Sequence, residues 1–99
     1  MLIHTERIVF TTVLGEASGN TNMYLKGICH EILVKPASSN TQYDISIVNY
    51  NNLTIYERTS EVGDLGEVTE LPMSGVNTVS IGNATKDEEF IVELIMRES

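Results

Sequence analysis

The chain has 99 residues, which is enough for one domain with a modest core, and we expect residues 1–99 to form a single domain. Hydrophobic residues make up 41% and charged residues 20% of the sequence, a balance that is typical of globular proteins and excludes intrinsic disorder. Six basic and fourteen acidic side chains give a net charge of −8, which disfavours binding to nucleic acid because phosphate backbones are also negative.

Cysteine usage and the N-terminal segment bear on the cellular compartment. Cys29 is the single cysteine of the sequence, so an internal disulfide is excluded and stability must come from packing or association, as expected for synthesis in the cytoplasm. The N-terminal segment carries Glu6 and Arg7 where a secretory signal needs an apolar run, and no segment approaches the ~20 apolar residues of a membrane span. We therefore expect neither export nor membrane binding.

The pattern of apolar residues predicts β-strands along the whole chain. Apolar residues recur with period two, and runs rich in valine, isoleucine, threonine and tyrosine are separated by clusters of glycine, asparagine, serine, proline and aspartate. Residues 1–6 lack a clear pattern and are a candidate N-terminal arm. The fold class that we predict is all-β, a small antiparallel two-sheet sandwich of jelly-roll-like or immunoglobulin-like type. The seven predicted strands are Arg7–Leu14, Met23–Val34, Tyr43–Asn49, Leu53–Arg58, Glu67–Leu71, Asn77–Ile81 and Glu89–Met96.

The segment Tyr43–Arg58 reads as a hairpin, and its hydrophobic pattern predicts the register. A three-residue loop, residues 50–52, pairs Ile47 with Ile55 and Asn49 with Leu53 on one face, and pairs Asp44 with Arg58 on the other. This loop also places Asn52 in the left-handed conformation that asparagine tolerates. A two-residue turn would instead put Ile45 opposite Arg58 and divide the apolar side chains between both faces, so we prefer the three-residue loop.

The last predicted strand is apolar on both faces. Phe90, Val92, Leu94 and Met96 alternate with a second set that includes Ile91 and Ile95. Since a one-sided core needs only the first set, Ile91 and Ile95 must be covered either by another element of the chain or by a partner. We take Ile91 and Ile95 as the candidate partner-binding residues.

The residue types that most often act in catalysis or bind metals form no catalytic or metal-binding pattern in this sequence. Cys29 and His30 are adjacent, so in a strand their side chains point to opposite faces and cannot share a proton. No cysteine or histidine cluster has the spacing of zinc ligands, and Asp87-Glu88-Glu89 lacks the spaced pattern of a calcium loop. We predict no catalytic residue, no metal and no cofactor, and hence a protein that is not an enzyme.

A succession of features along the chain resembles a known family. The features are Gly27–Pro36, Tyr43–Ile47, the turn Gly63–Gly66, Leu71–Met73, Val79–Asn83 and the apolar closing strand. The chain is similar, over roughly residues 23 to 96, to small all-β virion proteins of tailed bacteriophages and prophages, whose better-understood members are jelly-roll-like capsid decoration, or cement, proteins. Members often carry a Gly-Gly-Asp type turn before the last strand, where this chain has Gly82-Asn-Ala-Thr-Lys-Asp87.

The resemblance implies a partner and a location. Cement proteins bind the assembled major capsid protein, commonly as homotrimers near symmetry axes, where the shell must resist the pressure of packaged DNA. The chain would then be made in the cytoplasm of the bacterial host and reside on the capsid surface of the virion. Two alternatives stay open: a neck or tail component of the particle, and a carbohydrate-binding module. The second would need loop aromatics at one edge, whereas we expect Tyr24, Tyr43, Tyr50 and Tyr56 to lie mostly within strands.

Overall fold

The computed structural model describes residues 3–97, whose regular elements are all β-strands. No helix in this range is long and apolar enough to cross a membrane. Apolar and polar side chains alternate along most strands, and this period of two matches the alternating faces of a pleated sheet. The eight strands are β1 (Ile3–Thr11), β2 (Ala17–Asn20), β3 (Lys26–Pro36), β4 (Gln42–Val48), β5 (Thr54–Val62), β6 (Leu65–Ser74), β7 (Thr78–Gly82) and β8 (Glu89–Arg97).

The strands form two antiparallel four-stranded sheets. The first sheet has the order β1-β8-β3-β6, and the second has the order β2-β7-β4-β5. Apart from the hairpin of β4 and β5, neighbouring strands in both sheets are distant in sequence, which is the arrangement of an eight-stranded jelly roll. The predicted fold class, an all-β two-sheet sandwich of jelly-roll type, is confirmed.

The core lies between the two sheets. The last strand contributes Phe90, Val92, Leu94 and Met96, all fully buried as predicted. The ring of Phe90 meets Tyr43 of the second sheet edge to face, with centroids 5.3 Å apart. The Tyr43 hydroxyl donates a 2.7 Å hydrogen bond to the carbonyl oxygen of Gly63, so the one polar atom of this ring is satisfied.

The strand bounds differ from the sequence prediction, and two of the differences concern segments for which no strand was predicted. Ala17–Asn20 was expected to be a loop because Ser18, Gly19 and Asn20 are turn-forming residues, but it pairs with β7 as strand β2. Ile3–Glu6, the described part of the candidate N-terminal arm, belongs to β1 and pairs with β8; residues 1 and 2 of the arm lie outside the described residues. Pairing with a neighbouring strand supplies the order that the local sequence does not.

The hairpin of β4 and β5 has the predicted loop but a different register beyond it. The Asn49 amide donates to the Leu53 carbonyl oxygen (2.8 Å), and Asn52 adopts a φ of 64°, both as predicted. A bulge then shifts the pairing, so that Ile47 lies opposite Tyr56 rather than Ile55, and Ile45 lies opposite Arg58. The bulge allows both Ile47 and Tyr56 to be buried, which the unbroken register would not.

The predicted pair of Asp44 and Arg58 was wrong. Asp44 accepts hydrogen bonds from the Ser60 amide (2.9 Å) and the Asn83 side chain (2.7 Å), and these bonds hold the pKa of its carboxyl below the ordinary value. Arg58 forms an ion pair with Glu67 of the neighbouring sheet instead. The shifted register places both side chains beside other partners.

The loops gather at two ends of the sandwich that differ in charge. Residues 12–16, 37–41, 63–64 and 83–88 form the acidic end, where Thr12 is bonded to Glu88 and Gly63 to Thr41. Its loops contain four acidic residues and one basic residue, Lys86. Residues 21–25, 49–53 and 75–77 form the uncharged end, whose loops contain no acidic or basic residue.

Candidate partner-binding surface

The outer face of the first sheet carries an apolar cluster that we call the β8 face. Its members are Ile91 and Ile95 on β8, Leu33 on β3, Val9 on β1 and Val68 on β6. The core side chains of the same strands point the other way, between the sheets. The β8 face therefore contains both of the predicted partner-binding residues and three more.

The strand register brings the members of the β8 face together. Ile91 lies opposite Val9, and Ile95 lies four residues further along the same face of β8. Leu33 pairs with Glu93, which places it diagonally between the two isoleucines. On its other side Leu33 packs over Gly66, whose missing side chain leaves the room: a Cβ there would lie 3.3 Å from Leu33.

The β8 face is covered only by its own sheet. Ile91, Ile95 and Leu33 are half-buried by neighbouring side chains, whereas Val9 is 46% and Val68 is 79% exposed. All eight strands between residues 3 and 97 belong to the two sheets, so none of them lies over this face. The sequence allowed Ile91 and Ile95 to be covered either by another element of the chain or by a partner. No element of residues 3–97 covers them.

Charged side chains lie within the β8 face and at its border, since Glu93 lies between Ile91 and Ile95 on the same face of β8. Arg97 and Glu70 form an ion pair on it, and Arg7 lies opposite Glu93. Protein–protein interfaces combine apolar contacts with hydrogen bonds and ion pairs. The face thus has the composition of a surface that can be buried against another protein.

The outer face of the second sheet has a different character. Its central row consists of Ser18, Ser80 and Ser46, followed by Glu57 at the edge. Small hydroxyl groups and a carboxylate are well solvated and gain little from burial. The two broad surfaces of one small sandwich therefore differ sharply, and only the first is suited to apolar contact.

The area of the β8 face is close to what a stable interface needs. Four strands about 4.8 Å apart and about 30 Å long cover roughly 570 Å² in projection. A standard interface takes about 800 Å² from each partner, against 5573 Å² of accessible surface for this molecule. A partner would have to cover the whole face and part of a sheet edge.

The groups considered for chemistry serve the fold. Cys29 is fully buried, and burial raises the pKa of its thiol to about 11, which leaves no reactive thiolate at neutral pH. Asp87 and Glu88 accept hydrogen bonds from backbone amides of the chain's own loops, at Gly15 (2.8 Å) and Ser38 (2.6 Å) respectively. Within residues 3–97 no three histidine, cysteine, aspartate or glutamate side chains are grouped so as to hold a metal ion.

The placement of the tyrosines corrects the sequence analysis. Tyr43 and Tyr56 are buried in strands, but Tyr24 and Tyr50 lie in loops and are 85% and 66% exposed. Both loops belong to the uncharged end, where Lys26 borders one groove that includes Tyr24 and a second that includes Tyr50. The chain therefore does present aromatic side chains on loops at one end.

Comparisons with known proteins identify no family. No protein-family model matches the chain, and no curated protein sequence matches it significantly. A chain from the "Structure of infectious bursal disease virus Gt strain" is similar to it at 8% identity with a TM-score of 0.35. The match covers 96% of this chain and 32% of that chain, so this chain spans about a third of the length of that neighbour. A likeness of this strength says nothing about function.

Proposed function

We propose that the chain is a non-enzymatic structural protein of a bacteriophage virion, and specifically a capsid cement protein that binds the shell of major capsid protein and stabilises it. The observation that supports a structural role is the β8 face, which is rich in apolar side chains and is not covered by any strand of residues 3–97. The interior of the sandwich is filled by packed side chains. The resemblance of residues 23–96 to phage decoration proteins supports the more specific cement role. Such a protein acts by holding surfaces together.

The β8 face is proposed as the contact between copies of the chain in a homotrimer. Ile91 and Ile95 lie at its centre on an inner strand of the sheet, where backbone positions are fixed on both sides by β1 and β3. Central, rigid, apolar residues are those that carry most of the binding energy in interfaces. A charge of −8 on each copy opposes association, so salt should strengthen the trimer by screening that repulsion.

Charge at the centre of the β8 face tests the proposed contact. We expect Ile95→Asp to leave the protein folded and to abolish assembly, because a carboxylate would have to be desolvated inside the interface. Ile95→Lys is a second variant, since its ammonium group would face Glu31 across the strand and is therefore less disruptive to the monomer. Sedimentation velocity measures the oligomeric state, and circular dichroism measures folding.

A matched control places the same charge on the opposite surface. Ser18→Asp lies on the exposed outer face of the second sheet and should assemble as the wild type does. Retained trimers in both Ile95 variants would rule out the β8 face as the contact. Loss of trimers in Ile95→Asp and Ser18→Asp, with trimers retained in Ile95→Lys, would point to net charge rather than to this face, because lysine makes the chain less negative.

A neck or tail component is the closest alternative, because one sandwich fold serves several structural roles. Copy number distinguishes these roles. Hundreds of copies in each particle indicate a shell protein, whereas a dozen or fewer indicate a neck or tail protein. Quantitative gel analysis of purified particles gives this number directly.

A carbohydrate-binding role is favoured by one specific observation. Tyr24 and Tyr50 are exposed on neighbouring loops of the uncharged end, beside asparagine side chains that can hydrogen-bond sugar hydroxyls. Binding of the purified protein to a glycan array, lost on replacing both tyrosines with alanine, would support this role. If the protein binds no glycan on the array, the carbohydrate-binding role is contradicted and the structural role is favoured.

A further inference from the structure

The turn between β1 and β2 has an unusual residue at its tip. Val13 and Glu16 exchange two backbone hydrogen bonds of 2.9 and 3.1 Å, so Leu14 and Gly15 form a two-residue turn. Leu14 has a φ of 53° and Gly15 has a φ of 81°. Positive φ at both central residues is the pattern of a type I′ turn, in which Asn-Gly is strongly preferred.

Leucine at this position is unfavourable for folding in two ways. Its Cβ clashes with the backbone in the left-handed conformation, a cost that asparagine largely avoids by local hydrogen bonding. Its side chain is 90% exposed, and that of the adjacent Val13 is 68% exposed, so burial within the chain offsets little of this cost. Backbone strain that the fold does not need is characteristic of functional positions.

The turn is also held firmly in place. Both carboxylate oxygens of Asp87 accept backbone hydrogen bonds, from Leu14 (3.1 Å) and Gly15 (2.8 Å). The Ala84 amide donates to the Gly15 carbonyl oxygen (3.0 Å), and a Cβ at Gly15 would lie 3.1 Å from the Ala84 oxygen. The β7–β8 loop therefore fixes the position of the tip before any partner binds, which lowers the entropy cost of binding.

We infer that Val13 and Leu14, which we call the apolar tip, insert into an apolar pocket on the capsid shell that is bordered by basic side chains. The identity of the partner rests on the proposed function, whereas the presentation of the tip does not. Glu16 follows the tip in the chain and Asp87 hydrogen-bonds its backbone, and the loops of the acidic end carry four acidic residues against one basic residue, Lys86. These charges repel a second copy of the same acidic chain and favour a basic surface.

The apolar tip and the β8 face then have separate tasks. The β8 face joins copies of the chain, and the tip joins the assembled trimer to the shell. The two surfaces belong to different parts of the sandwich, since the tip lies beyond the end of β1 and the β8 face lies on the broad side of the first sheet. Changes in one should leave the other intact.

Leu14→Asn tests the inference, because it should improve folding while it removes the contact. Asparagine before glycine is the preferred type I′ pair, so the melting temperature should rise by about 2–6 °C. Loss of a buried leucine should weaken binding to empty expanded capsids of the encoding phage roughly ten- to hundredfold. Binding is measured by co-sedimentation over a range of protein concentrations, and trimer formation by sedimentation velocity.

Two control variants define the comparison. Leu14→Met keeps a flexible apolar side chain at the tip and should bind within about threefold of the wild type. Leu53→Asn removes another exposed leucine, at the uncharged end, and should bind as the wild type does.

The outcomes separate this inference from the proposed function. A Leu14→Asn trimer that is more stable and binds capsids weakly supports the apolar tip. If the same variant binds as tightly as the wild type, the inference is overturned and the cement role stands. If the folded wild type itself does not bind capsids, the cement role fails, and the shell is excluded as the partner of the tip.

Discussion

Gly63 provides a stringent test of the packing at the acidic end. It adopts a φ of +71°, donates a hydrogen bond to the Thr41 carbonyl oxygen (3.0 Å), and accepts one from the buried Tyr43 hydroxyl. A Cβ at this position would lie 2.5 Å from the backbone oxygen of Ser39. Because that oxygen belongs to the β3–β4 loop, Gly63→Ala must displace backbone rather than a flexible side chain.

The cost of Gly63→Ala follows from these contacts. The left-handed conformation costs alanine about 1 kcal/mol. Displacement of the loop weakens the hydrogen bonds to Thr41 and Tyr43, each of which contributes about 1 kcal/mol, with a further cost for any buried group left unpaired. We expect a loss of about 3 kcal/mol in the free energy of unfolding, and a fall of about 12–24 °C in melting temperature.

Gly75→Ala is the matched control. Gly75 has a φ of +67°, but a Cβ there would meet no heavy atom within 4 Å. This variant should lose only the conformational part, about 1 kcal/mol. Urea unfolding of both variants and the wild type measures the difference. Equal losses in the two variants would refute the close approach of Gly63 to Ser39.

Two further predictions concern the same region. Tyr43→Phe should cost about 1–2 kcal/mol, because it removes the hydroxyl bonded to Gly63 while the ring contact with Phe90 remains; an unchanged urea midpoint would contradict this. Burial raises the pKa of the Glu88 carboxyl, but hydrogen bonds from Ser38 and Thr41 outweigh burial and hold that pKa below its ordinary value of 4.5. The stability that Glu88 contributes should be present above about pH 4.5 and lost as the pH falls through the lower folded pKa. The stability gap between wild type and Glu88→Gln should therefore close below pH 4.5, and a gap that stays constant from pH 7 to pH 3 would exclude this role.

The alternation of β8 made both the core and the candidate site predictable. A strand that is apolar on both faces can be recognised from the sequence, so Ile91 and Ile95 could be predicted as partner-binding residues without a structure. Leu33 could not, because a bulge between Cys29 and Glu31 reverses the faces of β3. Counting by twos from the buried Cys29 places Leu33 in the core, whereas it lies on the β8 face.

Tertiary pairing explains the other differences. The sequence Ala17-Ser-Gly-Asn20 carries no strand signal of its own and becomes a strand because β7 supplies a pairing edge. The turn at Leu14 could not be predicted from the sequence either, because leucine is disfavoured in the left-handed conformation. A hydrogen bond to Asp87, which is 73 residues away from Leu14, maintains that conformation. Such departures from local preference mark places where the global fold, or function, decides.

Binding of the wild-type protein to empty expanded capsids of its phage tests the central proposal most directly. The bound copies are counted by quantitative gel after co-sedimentation at saturating protein. The proposed cement role predicts saturation at a number that the symmetry of the shell allows, in the hundreds for each particle. A protein that is folded by circular dichroism and does not bind would contradict it.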